Sequence, residues 1–221
     1  ETAQQNTRAS LDTSLEALHS VLVRLGNDQL RAVPQAERVA HGVLQDAAEL
    51  FRELLQRHPD DERVRWRGGR ALHALAMSYE RQGQMGKAKE VLHEALAVLG
   101  PDGPCSPARR NIRGHAWKTL ASWLVHEDDP AATQHAIERA EADLADDSPD
   151  PARRAEALRA LSDLSSTRSL AFDERTDAAD VELHLRQAVE RQRACMALGV
   201  ADEKDPMLLV MRLTNLGKFL Q

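Results

Sequence analysis

Apolar residues return every three or four positions through most of this chain, in blocks cut by glycine and proline. The clearest block runs from Trp66 to Pro101. Leu72, Leu75, Ala76 and Tyr79 form one helical stripe, and Ala88, Leu92, Ala95 and Leu99 form a second. Gly83-Gln84-Met85-Gly86 between them reads as a turn. The small side chains of Ala76, Ala88 and Ala95 let two helix backbones approach closely, while Tyr79 and Leu92 fill the space around that contact. The pattern predicts an antiparallel helical hairpin over 62–100.

The same grammar extends in both directions. Leu11, Leu15, Leu18, Leu22 and Leu25 mark a helix over Thr7–Leu25 with a narrow apolar seam, ended by Gly26-Asn27-Asp28. Pro34 opens a helix reaching about His58, with Val39, Val43, Ala47, Leu50, Phe51, Leu54 and Leu55 apolar, so the two make a pair over 7–58. A third pair, 107–146, uses Ile112, Ala116, Leu120, Trp123 and Leu124, then Ala132, Ala136, Ile137, Ala140 and Leu144. A fourth, 152–198, sets Leu158, Leu161 and Leu164 against Val181, Leu185, Ala188 and Val189. An unpaired last helix, 205–221, carries Leu213, Leu216 and Leu220. That orphan, and a chain starting at Glu1 without Met, lead to the expectation of a fragment of a longer protein whose last apolar face another copy or neighbour covers.

Four stretches place a cap residue before proline: Ser106-Pro107, Asp129-Pro130, Asp150-Pro151 and Asp205-Pro206. A Ser or Asp oxygen accepts from the free N–H groups of a first helical turn, and proline there wastes no donor. Alternating β-branched runs are absent, so the expectation is all-α, a single helical repeat domain over 1–221. Net charge is −6 with both signs interspersed, which argues against a nucleic-acid partner. No apolar run is long enough to insert in a membrane, and Cys105 and Cys195 give neither metal spacing nor a disulfide framework. Neither cofactor nor metal is expected, and the compartment stays open between the cytoplasm and an extracytoplasmic site.

The Leu-Ala, Tyr, Gly, Ala, Leu, Ala and Pro positions of 66–101 resemble the tetratricopeptide repeat, a helix-turn-helix unit. The resemblance implies a right-handed helical solenoid of antiparallel helix pairs. The repeat register is loose, since Leu75, Leu120 and Leu161 lie 45 and then 41 residues apart, longer than the roughly 34 of a compact repeat. Leu216-Gly217 takes the place of Leu75-Ala76, and Leu220 that of Tyr79.

A narrower likeness covers about the first hundred residues. Val23-Arg24-Leu25-Gly26, Leu30-Arg31-Ala32-Val33-Pro34-Gln35, then Leu44, Ala47, Phe51, Leu54, Pro59-Asp60-Asp61 and Val64-Arg65 lead into the central hairpin. This order resembles the helical region that follows the kinase domain and membrane segment in bacterial serine/threonine kinases with tetratricopeptide tails. No Gly-rich phosphate loop, His-Arg-Asp or Asp-Phe-Gly is present. The likeness implies a regulatory or sensing tail that binds a protein or peptide in signal transduction. The alternative is a self-association module, a homo-oligomer formed through the end helices.

In such arrays the first helix of each pair lines the ligand groove. The candidate groove residues are Arg70, His73, Met77, Glu80 and Arg81, then His115, Lys118, Ser122 and His126, then Arg159 beside Glu156 and Asp163. Their mixture of donors, acceptors and a Met suits an extended, partly acidic peptide. His73 and Met77 stand where the two-carboxylate clamp of chaperone-binding members needs Lys and Asn, so that specificity does not carry over. Arginines gather at three helix starts (Arg63, Arg65, Arg67 and Arg70; Arg109, Arg110 and Arg113; Arg153 and Arg154), opposing the helix dipole. Local pairing with Asp60, Asp61 and Glu62, or with Asp146, Asp147 and Asp150, offsets them more simply than an anionic partner. His93-Glu94 lacks the second His of a zinc helix, and no nucleophile elbow or catalytic Cys context exists, so no enzyme is expected.

Overall fold

The computed structural model describes residues 34–100, 105–127, 129–145, 150–171, 177–200 and 202–221. Every regular element among them is an α-helix: α1 (Pro34–Arg57), α2 (Glu62–Arg81), α3 (Met85–Leu99), α4 (Pro107–Leu124), α5 (Pro130–Leu144), α6 (Pro151–Leu170), α7 (Ala178–Ala197) and α8 (Asp205–Phe219). The expected helix over Thr7–Leu25 lies outside the described residues. The chain divides into two compact units, one ending at Ile112 and the other starting at Arg113.

In unit 1, α2 packs against both α1 and α3. Asp61 starts α2 by accepting from the Arg63 N–H at 2.9 Å. The turn to α3 is shorter than the sequence suggests, because Met85 and Gly86 already belong to α3. Gly83 makes it possible: its φ of 72° is left-handed, a region that costs a residue with a Cβ. The Gln84 N–H then reaches back to the Tyr79 carbonyl at 2.9 Å, which closes the end of α2.

The core of unit 1 is apolar. Leu44, Ala47, Ala48 and Phe51 of α1 meet Val64, Ala71, Leu72 and Leu75 of α2 and Ala95 of α3. Ala76, Ala88, Leu92 and Leu99 are fully buried, as the hairpin pattern requires. The stripe on α1 is rotated from its expected position. Leu44 and Ala48 turn inward, while Val39 and Leu50 are exposed. Gly69 sets the distance between α2 and α3, since a Cβ there would stand 2.5 Å from the Leu99 side chain.

In unit 2, α6 packs on α5 and α7, and α7 on α8. Asp129 and Asp150 cap α5 and α6, accepting from Ala132 N–H at 2.9 Å and Ala152 N–H at 3.0 Å. Ser106 does the same for α4, which begins in unit 1, through the Arg109 N–H at 3.1 Å. Asp205 breaks the expected series. It is the first residue inside α8, and its carboxylate turns into the protein. Gly114 repeats the role of Gly69: a Cβ on it would lie 2.7 Å from Leu144 and 3.0 Å from Asp143.

Candidate functional site

On α2, residues 70, 73, 77, 80 and 81 recur at helical spacing and form one stripe. Arg70, His73, Met77 and Glu80 are half-buried, and Arg81 is exposed with its Nε 3.8 Å from Glu37 of α1. Beside the stripe, His41 Nδ1 lies 3.0 Å from Ser78 Oγ, and the Gln45 amide donates to the Tyr79 hydroxyl at 3.0 Å. Burial, and then the cations Lys87 and Arg81, hold the His41 imidazole below its ordinary pKa.

The corresponding stripes of unit 2 meet each other and are largely neutralised by that meeting. His115 Nε2 of α4 lies 3.3 Å from Glu156 of α6, and Lys118 Nζ lies 2.9 Å from Asp163. Asp163 also binds Arg212 of α8. Arg159 of α6 is engaged by a two-pronged bond to Asp205, at 2.8 and 2.9 Å. Ser122 donates to the Thr119 carbonyl of its own helix at 2.8 Å, and His126 is exposed just past α4. Thus α4, α6 and α8 are tied side to side by opposite charges. A second tie joins α5 to α7, with Arg191 3.3 Å from Glu141.

Asp205 is strongly perturbed. Its side chain is fully buried, and it accepts from Arg159, from the Gln192 amide at 3.0 Å and from the Asp202 N–H at 2.7 Å. Arg159 above all lowers its pKa to about 2. Cys195, also buried, lies 3.4 Å from the Ala155 carbonyl, and burial raises its thiol pKa. Such a thiol is a weak nucleophile. The second internal pair, Arg113 with Asp143, is buried on both sides and two-pronged, at 2.7 and 2.6 Å.

The arginine clusters divide accordingly. Arg63 pairs with the cap Asp61 at 3.0 Å and Arg153 approaches Asp150 at 3.8 Å, the local pairing the sequence suggests. Arg109 and Arg113 instead reach Glu62 and Asp143, far away in sequence. Trp123 is buried, and Trp66 and Trp117 are half-buried under the Arg67 and Arg139 guanidinium groups at 5.0 and 5.4 Å.

A cleft of about 490 Å³ in unit 2 is lined by Pro130, Gln134, Arg168, Ala171 and His184. Arg168 is held by Glu141 at 3.0 Å, and burial lowers the pKa of His184. Among the described residues no group of three or more His, Cys, Asp or Glu is placed to hold a metal ion. No described helix is long and apolar enough to cross a membrane. No family model matches the chain, and no curated protein or solved structure shows significant similarity to it. The tetratricopeptide and kinase-tail resemblances therefore rest on the order of residues in the sequence.

Proposed function

We propose that this chain is a non-catalytic scaffold that binds a protein or peptide. In this reading it is built of tetratricopeptide-like hairpins stacked as a right-handed solenoid, and it serves as the regulatory or sensing region of a bacterial serine/threonine kinase. One observation carries the repeat reading. Aligning Leu75, Leu120 and Leu161 brings Gly69, Gly114 and Ala155 to one position. The far end of the following helix lies on each: Leu99 on Gly69, Leu144 on Gly114, and Cys195 on the Ala155 carbonyl. A recurring close approach at one register is what repeated hairpins of a common design produce. The kinase context is supported by the residue order of 21–99 alone.

The ligand surface in this reading is the α2 stripe. Its counterpart on α4 and α6 is engaged by Glu156, Asp163 and Asp205. The test is fluorescence anisotropy with a panel of labelled extended peptides differing in acidic content. Acidic members should bind, and Arg81→Glu and Met77→Ala should each weaken binding about tenfold with unchanged helical circular dichroism. Equal affinity across the panel, or indifference to both substitutions, would contradict the reading.

A further inference from the structure

The cleft of unit 2 has walls of two kinds. Pro130 at the start of α5 and Ala171 just past α6 make an apolar side. A smaller hollow of about 70 Å³ shares both residues and extends that side with Val125, Thr133 and Leu170. Arg168, Gln134 and His184 make the polar side. Glu141, the carboxylate that holds Arg168 at 3.0 Å, also holds Arg191 at 3.3 Å. Arg191 donates further to the Leu161 carbonyl at 2.9 Å and the Ser165 hydroxyl at 2.6 Å, neither of which carries charge. Two guanidinium groups thus share one carboxylate, and one positive charge is left over. The Arg168 side chain is only 14% exposed, and its Nε–H is buried with no acceptor among the described residues. The acids nearby do not balance it: Asp129 is exposed and spent on capping α5, and Asp180, whose charge acts on His184, is exposed at the first turn of α7. A cation largely sheltered from water is costly until an anion meets it.

We propose that this cleft binds a small amphipathic monocarboxylate, with its carboxylate on the Arg168 guanidinium and its apolar body on Pro130 and Ala171. The first argument is size. A cleft of about 490 Å³ is in the range of small-molecule sites, which pair apolar walls with a few placed polar groups. The second argument is charge. A guanidinium matches the two oxygens of a carboxylate, and one surplus positive charge balances one negative charge. His184 adds no second cation: burial holds its imidazole below the ordinary value, so the ring is neutral near pH 7. A phosphate dianion would therefore be only half balanced here, and it would make no use of the apolar side. The cleft belongs to unit 2 and the α2 stripe to unit 1, so either proposal can fail alone.

The test is a nuclear magnetic resonance titration of the whole isotope-labelled chain with phenylacetate, and with phenylacetamide as its uncharged counterpart. Phenylacetate should shift the amide signals of Gln134, Arg168 and Ala171 and saturate with a dissociation constant below about 1 mM. Phenylacetamide should bind at least about tenfold more weakly, because it brings no charge to Arg168. Arg168→Met should weaken phenylacetate at least about tenfold with unchanged helical circular dichroism. Ala171→Phe keeps every charge and fills the apolar side, so it should remove the saturable shifts. The backbone at Ala171, with φ of −82°, is right-handed and admits the larger side chain. If Arg168→Met loses helical signal, the acid and amide comparison and Ala171→Phe decide the matter on a folded chain. Equal affinity for acid and amide, a folded Arg168→Met or Ala171→Phe chain that binds like its parent, or shifts that do not saturate by about 10 mM would each overturn the proposal. So would saturable shifts centred away from the cleft.

Discussion

Both units bury apolar residues, and among those described they differ in the polar groups buried alongside. Unit 1 relies on apolar stripes: Leu44, Phe51, Val64, Leu72 and Leu75 meet with little polar content, and Ser78 and Arg109 are its buried polar residues among those described. Unit 2 buries Arg113, Asp143, Ser162, Ser165, His184, Gln192, Asp205 and Arg212. An apolar stripe needs only the right period, so many partners satisfy it. A buried carboxylate needs a particular cation at a particular distance, and leaving it alone is costly. Unit 1 is therefore tolerant of substitution within its stripes, and unit 2 is specified by pairs.

The contrast is broken most sharply at Arg113 and Asp143. Asp143→Ala should cost about 3–5 kcal/mol by urea unfolding, because it strands a buried guanidinium. The joint change Arg113→Met with Asp143→Leu should recover most of that loss. A single substitution costing under about 1 kcal/mol would show that the pair does not specify unit 2. Gly69→Ala and Gly114→Ala come next, with losses of up to about 3 kcal/mol each from overpacking against Leu99 and Leu144. Equal losses would show that the close helix approach, unlike core polarity, is common to both units.

Acid sharpens the contrast further. The Asp205 pKa is lowered from 3.8 to about 2, so its stabilisation is complete above the unfolded value and is lost as pH falls through the folded one. The loss amounts to roughly 2 kcal/mol between about pH 4 and pH 2. His41 and His184, both held below their ordinary pKa by burial, disfavour folding as pH drops below the unfolded value near 6.5. Hydrogen exchange should show an Asp205-dependent loss of protection around α6, α7 and α8 below about pH 4, abolished in Asp205→Asn. The smallest effect concerns the thiols. Cys105 is half-buried and should react with a thiol reagent in the native state, whereas Cys195 should react only on unfolding.

Helix positions and the hairpin core were legible because period, caps and small residues are local signals. Leu72, Ala76, Leu92 and Leu99 sit in the core, and Ser106, Asp129 and Asp150 cap. The partners of charged groups were not legible, because Arg113 and Asp143 lie 30 residues apart and Arg159 and Asp205 lie 46 apart. Nothing local in the sequence distinguishes a cap Asp from one that turns inward, so Asp205 looked like its three counterparts. Gly69 and Gly114 carried a readable signal: a glycine inside an apolar-periodic helix costs about 1 kcal/mol unless something packs on it. The candidate groove was read from spacing alone, which named His115, Lys118 and Arg159 without showing that they answer Glu156, Asp163 and Asp205.

The claim that one hairpin design recurs along the chain is tested most directly by nuclear Overhauser contacts in a methyl-labelled sample. Cross-peaks should join the Leu99 methyls to the Gly69 α-protons and the Leu144 methyls to the Gly114 α-protons, both within one preparation. A sample showing one contact without the other, or neither, would contradict a shared design.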